Sequence, residues 1–193
     1  MIYKKCILIT GGVRSGKSRY ALDLVHKITE KKIFIATAQA FDVGMAMRIK
    51  KHQQERGIDF VTMEEPLYLA QALKDASPQA PLVIIDCLTV WVNNLFYHLQ
   101  HDQSKIQEQF DLFLAVLAES SLHIIIVTNE VGLGIMPDNQ LGRRFIDELG
   151  SLNQRVASLS DEVIMMVAGL PQIIKGVNSY ESMDYTSRKY SSS

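Results

Sequence analysis

The stretch Gly11-Gly12-Val13-Arg14-Ser15-Gly16-Lys17-Ser18 (GGVRSGKS) has the spacing GxxxxGK[ST], and its setting decides how the chain is read. The apolar run Cys6–Thr10 (CILIT) precedes it and reads as a buried strand. The amphipathic stretch Lys17–Glu30 follows it and reads as a helix. Strand, glycine loop and helix in that order suit a phosphate. Glycines let successive backbone N–H groups curl around phosphate oxygens without a Cβ clash, and the helix start adds its positive end. In that arrangement Lys17 reaches the β- and γ-phosphates and Ser18 offers a hydroxyl to Mg²⁺. Gly11, Gly12, Val13, Arg14, Ser15, Gly16, Lys17 and Ser18 are therefore candidate nucleotide contacts, with Lys17 catalytic and Ser18 a metal ligand.

Working outward, short apolar runs alternate with longer amphipathic stretches. Ile33–Thr37, Leu82–Asp86, His123–Thr128 and Val163–Val167 read as further strands, continuous in hydrophobicity as strands buried on both faces are. Asp59–Thr62 adds an edge strand, and Gln172–Lys175 pairs antiparallel with Val163–Val167 after the turn Ala168-Gly169-Leu170-Pro171. Helices are expected over Val43–Arg56, Pro66–Asp75, Val90–Leu99, Lys105–Glu119 and Gln140–Leu159. The pattern predicts an α/β, P-loop NTPase-like three-layer fold: a mainly parallel sheet, helices on both faces and an antiparallel edge strand. One catalytic domain is expected over 1–175, with a polar Ser/Tyr-rich tail over 176–193.

Bulk composition excludes several classes. The 193 residues carry a formal net charge of -1, so no nucleic-acid or anionic-membrane partner is expected. No apolar run is long enough to span a membrane, and from the start MIYKKC no signal peptide is expected. Cys6 and Cys87 lie in apolar runs without metal-type spacing and read as reduced core thiols of a cytoplasmic protein.

Other candidates gather at the carboxyl ends of strands, where open α/β sheets bind ligands. Asp86 closes LVIID and is placed to join a magnesium shell or to cap the next helix. Thr37-Ala38-Gln39 and Asn129-Glu130 leave their strands at the same edge. Arg143, Arg144 and Asp147 contact a substrate phosphate or pair with one another along a helix. His26, His98, His101 and His123 read as surface or packing residues, and Trp91, Phe96 and Tyr97 as core or subunit contact. In MRIKKHQQER, Arg48, His52 and Arg56 share one helical face, setting an imidazole between two guanidiniums.

A regulatory GTPase would carry Asn-Lys-x-Asp after a strand, and the corresponding place reads Thr128-Asn129-Glu130-Val131. A kinase or transferase is favoured. GGVRSGKSRYA, IATAQ, the RIxxHQxxR block, IIDCLTVWVNNL, TNEVGLGIMP, GRRF, DELGSLNQ and VAGLPQIIK together resemble the bifunctional adenosylcobinamide kinase / adenosylcobinamide-phosphate guanylyltransferase family, from about Ile7 to Lys175. The resemblance implies phosphorylation of adenosylcobinamide by ATP or GTP. Transfer of GMP from GTP to the resulting adenosylcobinamide phosphate then follows, through a covalent guanylyl group on His52. It also implies nucleotide contacts at Ala36, Thr37, Ala38, Gln53, Gln54, Glu55, Arg56, Glu64 and Asp86, Mg²⁺ held by Ser18 and Asp86, and a homotrimer. A monofunctional P-loop small-molecule kinase and a non-catalytic nucleotide-binding regulator are the alternative readings.

Overall fold

Apolar runs without alternation need cover on both faces. The computed structural model, which describes residues 4–26, 28–39 and 60–177, supplies that cover. Seven strands form one sheet: β1 (Lys5–Gly11), β2 (Lys32–Ala36), β3 (Phe60–Glu64), β4 (Leu82–Asp86), β5 (His123–Val127), β6 (Glu162–Val167) and β7 (Leu170–Lys175). Among the described residues the helices are α1 (Lys17–Val25), α2 (Leu69–Ala76), α3 (Leu88–His98), α4 (Gln103–Glu119) and α5 (Gln140–Leu159), with a 3-10 turn at Val131–Leu133.

The strand order is β3-β2-β4-β5-β1-β6-β7, parallel throughout except for β7, which returns antiparallel along β6. Pro171 pairs in β7, an edge strand, where a missing N–H donor is tolerated. Alternate residues of each strand feed opposite layers. Leu8, Ile35, Ile85 and Ile126 pack with Leu69, Trp91, Phe110 and Leu149 from α2, α3, α4 and α5. Ile7, Ile9, Phe34, Ile84 and Val127 pack with Tyr20, Ala21, Leu24 and Val25 from α1. The result is the three-layer α/β architecture expected, antiparallel edge included.

Several boundaries differ from the sequence reading. α1 stops at Val25 rather than Glu30: His26 N–H donates to the Asp23 carbonyl and Ile28 N–H to that of Val25, the tightened bonds of a closing helix. β3 runs to Glu64 and pairs parallel with β2. α3 starts at Leu88, two residues early, and Cys87 rather than Asp86 occupies its N-cap position, with no side-chain cap. α5 has the expected bounds, and Asn139 caps it by accepting the Gly142 N–H at 2.7 Å. The expected helix Val43–Arg56 and most of the polar tail lie outside the described residues.

Of the two readings of the α3 aromatics, Trp91 and Phe96 take the core one. Trp91 and Val92 are 0 % exposed and Phe96 4 %, because α4 and α5 lie over them. Trp91 packs against Phe110 and Phe113, and Phe96 against Phe145, while Tyr97 alone of the group is exposed.

Candidate active site

The phosphate loop leaves β1 at Gly11, and backbone geometry explains its glycines. Gly11 has φ +141°, and a Cβ there would lie 2.5 Å from the Met166 carbonyl oxygen and 2.9 Å from Ser15 Oγ. Gly16 has φ +96° at the N-cap of α1, where a Cβ would sit 3.3 Å from Gly169 Cα. The turn between β6 and β7 presses on the loop at that point, and Gly169 N–H donates to the Ser15 carbonyl at 3.0 Å. Nothing in the sequence signalled this brace.

Lys17 opens α1 and folds back over the loop, its Nζ donating to the Gly12 carbonyl at 2.6 Å and reaching Ser15 Oγ at 3.4 Å. Burial lowers the Lys17 pKa below the ordinary lysine value, and nearby Cys87 and Asp86 offset part of the fall. Asp86 is thus close enough to act on Lys17 although its strand is not adjacent to β1. Burial, and secondarily Asp86, push the Cys87 thiol up to about 12.

Register puts three predicted residues in one row. Ala36 of β2 lies opposite Glu64 of β3 on one side and Asp86 of β4 on the other. Thr37 follows, fully buried, and its polar groups are engaged within the protein. Its Oγ1 accepts the Cys87 N–H at 2.8 Å and donates to the Cys87 carbonyl at 2.9 Å, and its own carbonyl accepts Asn94 Nδ2 at 2.8 Å. Thr37 therefore locks the ends of β2 and β4 together.

Because β5 lies between β1 and β4, its carboxyl end enters the middle of the edge. Thr128 Oγ1 donates to Asn153 Oδ1 at 2.8 Å, Asn153 Nδ2 to the Asn129 carbonyl at 3.1 Å, and Asn129 N–H to Thr89 Oγ1 at 2.9 Å. Glu130 is tied directly to β1. Its N–H donates to the Gly11 carbonyl at 3.2 Å, and its Oε1 accepts the Thr10 hydroxyl at 2.6 Å. Gly11–Ser18, Thr37–Gln39, Asp86–Thr89 and Asn129–Gly132 thus converge at one sheet edge. Thr89 falls within the expected Asp86–Thr89 stretch, whereas Thr10 and Asn153 are supports that sequence reasoning missed, since a threonine in an apolar strand and an asparagine midway along a helix carry no spacing signal.

The remaining candidates fall elsewhere. Arg143 Nη1 donates to the Pro137 and Asp138 carbonyls at 3.0 and 2.8 Å, and Arg144 lies 5.5 Å over the Phe96 ring. His98 contacts Gln39, and His101 stacks edge-on against Phe96. His52, Gln53, Gln54, Glu55 and Arg56, with Arg48, lie outside the described residues. Among the described residues no group of three or more His, Cys, Asp or Glu side chains is arranged to hold a metal, and no helix is long and apolar enough to cross a membrane.

Known proteins resemble this chain at two levels. The family described as cobinamide kinase / cobinamide phosphate guanyltransferase matches residues 7–174. The bifunctional adenosylcobalamin biosynthesis protein CobP of Pseudomonas aeruginosa is 41% identical over 169 residues, which cover 88% of this chain and 96% of that protein. The bifunctional protein CobU of Salmonella typhimurium is 34% identical over 180 residues, 88% of this chain and 99% of the relative. Among solved structures, an ATPase of the type III secretion system of pathogenic bacteria superposes with a TM-score of 0.53 at 10% identity, over 84% of this chain and 51% of that one. A Pyrococcus horikoshii OT3 protein does so at 0.56 and 9% identity, over 93% and 90%. At such identities these two likenesses concern the fold alone.

Proposed function

The chain belongs to the cobinamide kinase / cobinamide phosphate guanyltransferase family, and from that premise we propose how its residues divide the two reactions. It is an enzyme of adenosylcobalamin biosynthesis with both activities, using nucleotide and cobinamide substrates. The observation that carries the kinase half is the braced loop Gly11–Ser18 with Lys17 and Asp86 at one edge.

In the kinase step the aminopropanol hydroxyl of adenosylcobinamide attacks the γ-phosphorus of ATP or GTP. A new O–P bond forms, the bond to the β-phosphate oxygen breaks, and the nucleoside diphosphate leaves with the electron pair. Loop N–H groups and Lys17 hold the phosphates and balance the negative charge on the transferred group. Ser18 and Asp86 supply hard oxygen donors at that edge and fit Mg²⁺, which keeps few protein ligands beside substrate phosphates. When bound it would neutralise phosphate charge.

In the transferase step an imidazole nitrogen of His52 attacks the α-phosphorus of GTP and expels pyrophosphate. A phosphate oxygen of adenosylcobinamide phosphate then attacks the same phosphorus, the P–N bond breaks, and adenosylcobinamide-GDP forms. One difficult displacement becomes two easier ones. Arg48 and Arg56, on His52's helical face in the sequence, suit the phosphate oxygens. Ala36, Ala38, Glu64 and Gln53–Arg56 are read as the remaining nucleotide contacts. Residues 1–175 are read as one catalytic domain, and the free thiols Cys6 and Cys87 suit a cytoplasmic enzyme.

The test is His52→Ala, assayed with α-labelled GTP and, separately, for adenosylcobinamide phosphate formed from ATP. Wild-type protein should take up acid-labile, alkali-stable label, as a phosphoramidate does. The variant should lose that label while retaining kinase activity. Stoichiometric acid-labile label on His52→Ala would assign the carrier to another histidine, and loss of both activities in a folded variant would end the division of labour.

A further inference from the structure

Beside the phosphate loop lies a cavity of about 460 Å³ between the Val131–Leu133 turn and α5, lined by Glu130, Gly132, Asp147, Gly150, Ser151 and Gln154 among others. That is the size of a small-ligand pocket. Glu130 belongs to both places. It forms part of the cavity wall, while its Oε1 is held by Thr10 and its N–H is bonded to Gly11, where the loop begins.

Two glycines line the cavity without a conformational need for glycine. Gly150 sits inside α5, where glycine is a poor helix former, and a Cβ there would meet nothing within 4 Å. A Cβ on Gly132 would lie 3.6 Å from Ile146 Cγ2, an ordinary contact. Neither position has the positive φ that distinguishes Gly11 and Gly16. At Gly150 the missing side chain leaves open space on the cavity wall.

We propose that this cavity receives the hydroxyl-bearing arm of the kinase acceptor, and that Glu130 is the catalytic carboxylate that takes the hydroxyl proton. The inference rests on the kinase half of the proposed function. As the acceptor oxygen bonds to the γ-phosphorus and the nucleoside diphosphate departs, the proton passes to a Glu130 carboxylate oxygen and then to solvent. The Thr10 hydrogen bond fixes the carboxylate's direction. Asp147, Ser151 and Gln154 offer donors and acceptors to an amino-alcohol arm, and the corrin macrocycle stays at the cavity mouth.

The experiment uses the full chain as wild type, Glu130→Gln, Glu130→Asp and Gly150→Leu. Phosphorylation by ATP is measured against varied adenosylcobinamide, and label uptake from α-labelled GTP is measured on the same preparations. Glu130→Gln should lower kcat for phosphorylation roughly 10²- to 10⁴-fold, the usual reach of general-base catalysis, with Glu130→Asp recovering part of it. Guanylyl labelling should stay within about threefold of wild type in both. Gly150→Leu should raise the acceptor KM about tenfold or more while leaving the ATP KM unchanged. Three results overturn the proposal: kcat for Glu130→Gln within about threefold of wild type, an equal loss of labelling and phosphorylation, or an unchanged acceptor KM in Gly150→Leu. The last result does not depend on how any Glu130 variant folds. Failure of the wild type itself to phosphorylate adenosylcobinamide overturns the kinase reading, and the proposal with it.

Discussion

Replacing Gly11 by alanine should damage the fold far more than the same change one residue later. At Gly11 the new Cβ would lie 2.5 Å from a backbone oxygen, the Met166 carbonyl, and 2.9 Å from Ser15 Oγ, at φ +141°. The carbonyl belongs to β6, which is paired with β1 at that point, so it has little freedom to yield. A side chain held in so sparsely populated a backbone region costs about 1–3 kcal/mol. Crowding against fixed atoms adds about 1–3 kcal/mol. Together they remove roughly 2–6 kcal/mol from a domain whose stability is on the order of 5–15 kcal/mol. For a chain of this length about 1 kcal/mol moves Tm by roughly 2–4 °C, so a fall of about 5–20 °C is expected. At Gly12 a Cβ meets nothing within 4 Å and φ is not positive, so the change should stay within about 0.5 kcal/mol. Gly16, at φ +96° with Gly169 Cα 3.3 Å from the new Cβ, should fall between. Thermal unfolding of the three variants followed by circular dichroism reads the order directly. If Gly11→Ala and Gly12→Ala melt within about 2 °C of each other, the close approach of β6 to the loop is not as described.

Lys17→Ala should leave the protein folded and reduce phosphorylation of adenosylcobinamide by about 10² or more, because positioning and charge carry most of such catalysis; near-wild-type turnover would remove Lys17 from the reaction. The homotrimer that the family resemblance implies should appear in light scattering as a mass of three chains at working concentration. A monomer there would withdraw that reading. In the trimer the contact would draw on exposed apolar side chains such as Ile135, Met136 and Ile174 rather than on the interior face of α3.

Much of this fold was legible because its strands are buried on both faces, and such runs need no neighbour to identify them. α5 was legible to the residue because Asn139 supplies a local cap and the apolar stripe runs unbroken to Leu159. The end of α1 was not, since nothing between His26 and Glu30 forbids another helical turn. Strand order is the larger gap. Chain order does not state that β5 inserts between β1 and β4, and that insertion brings Glu130 to Thr10 and separates Asp86's strand from the loop's. Thr37 was legible as a site residue by position and by family resemblance. That its hydroxyl is consumed by Cys87 depends on a contact 50 residues away. The α3 side chains left two readings open for a related reason: an apolar helix face reads alike whether another helix or another subunit covers it.

The surroundings of the loop also bear on which atom carries GMP. Cys87 follows Asp86 and lies near Lys17, so it is the nearby thiol to weigh as a covalent carrier. A thiol attacks as thiolate, and burial together with Asp86 pushes Cys87 up to about 12, leaving almost none ionised near neutral pH. Its backbone N–H and carbonyl are both held by Thr37, which fixes the peptide that any approach to a phosphate would require to move. Ser15 and Thr10 are no better placed: Ser15 Oγ is 3.4 Å from the ammonium of Lys17, and the Thr10 hydroxyl donates to Glu130. An imidazole needs none of these conditions, because its neutral form already presents a nucleophilic nitrogen at that pH. The edge that builds the phosphate cradle therefore supplies no ready nucleophile among these groups, which agrees with the proposal, drawn from the family resemblance, that His52 of MRIKKHQQER carries GMP.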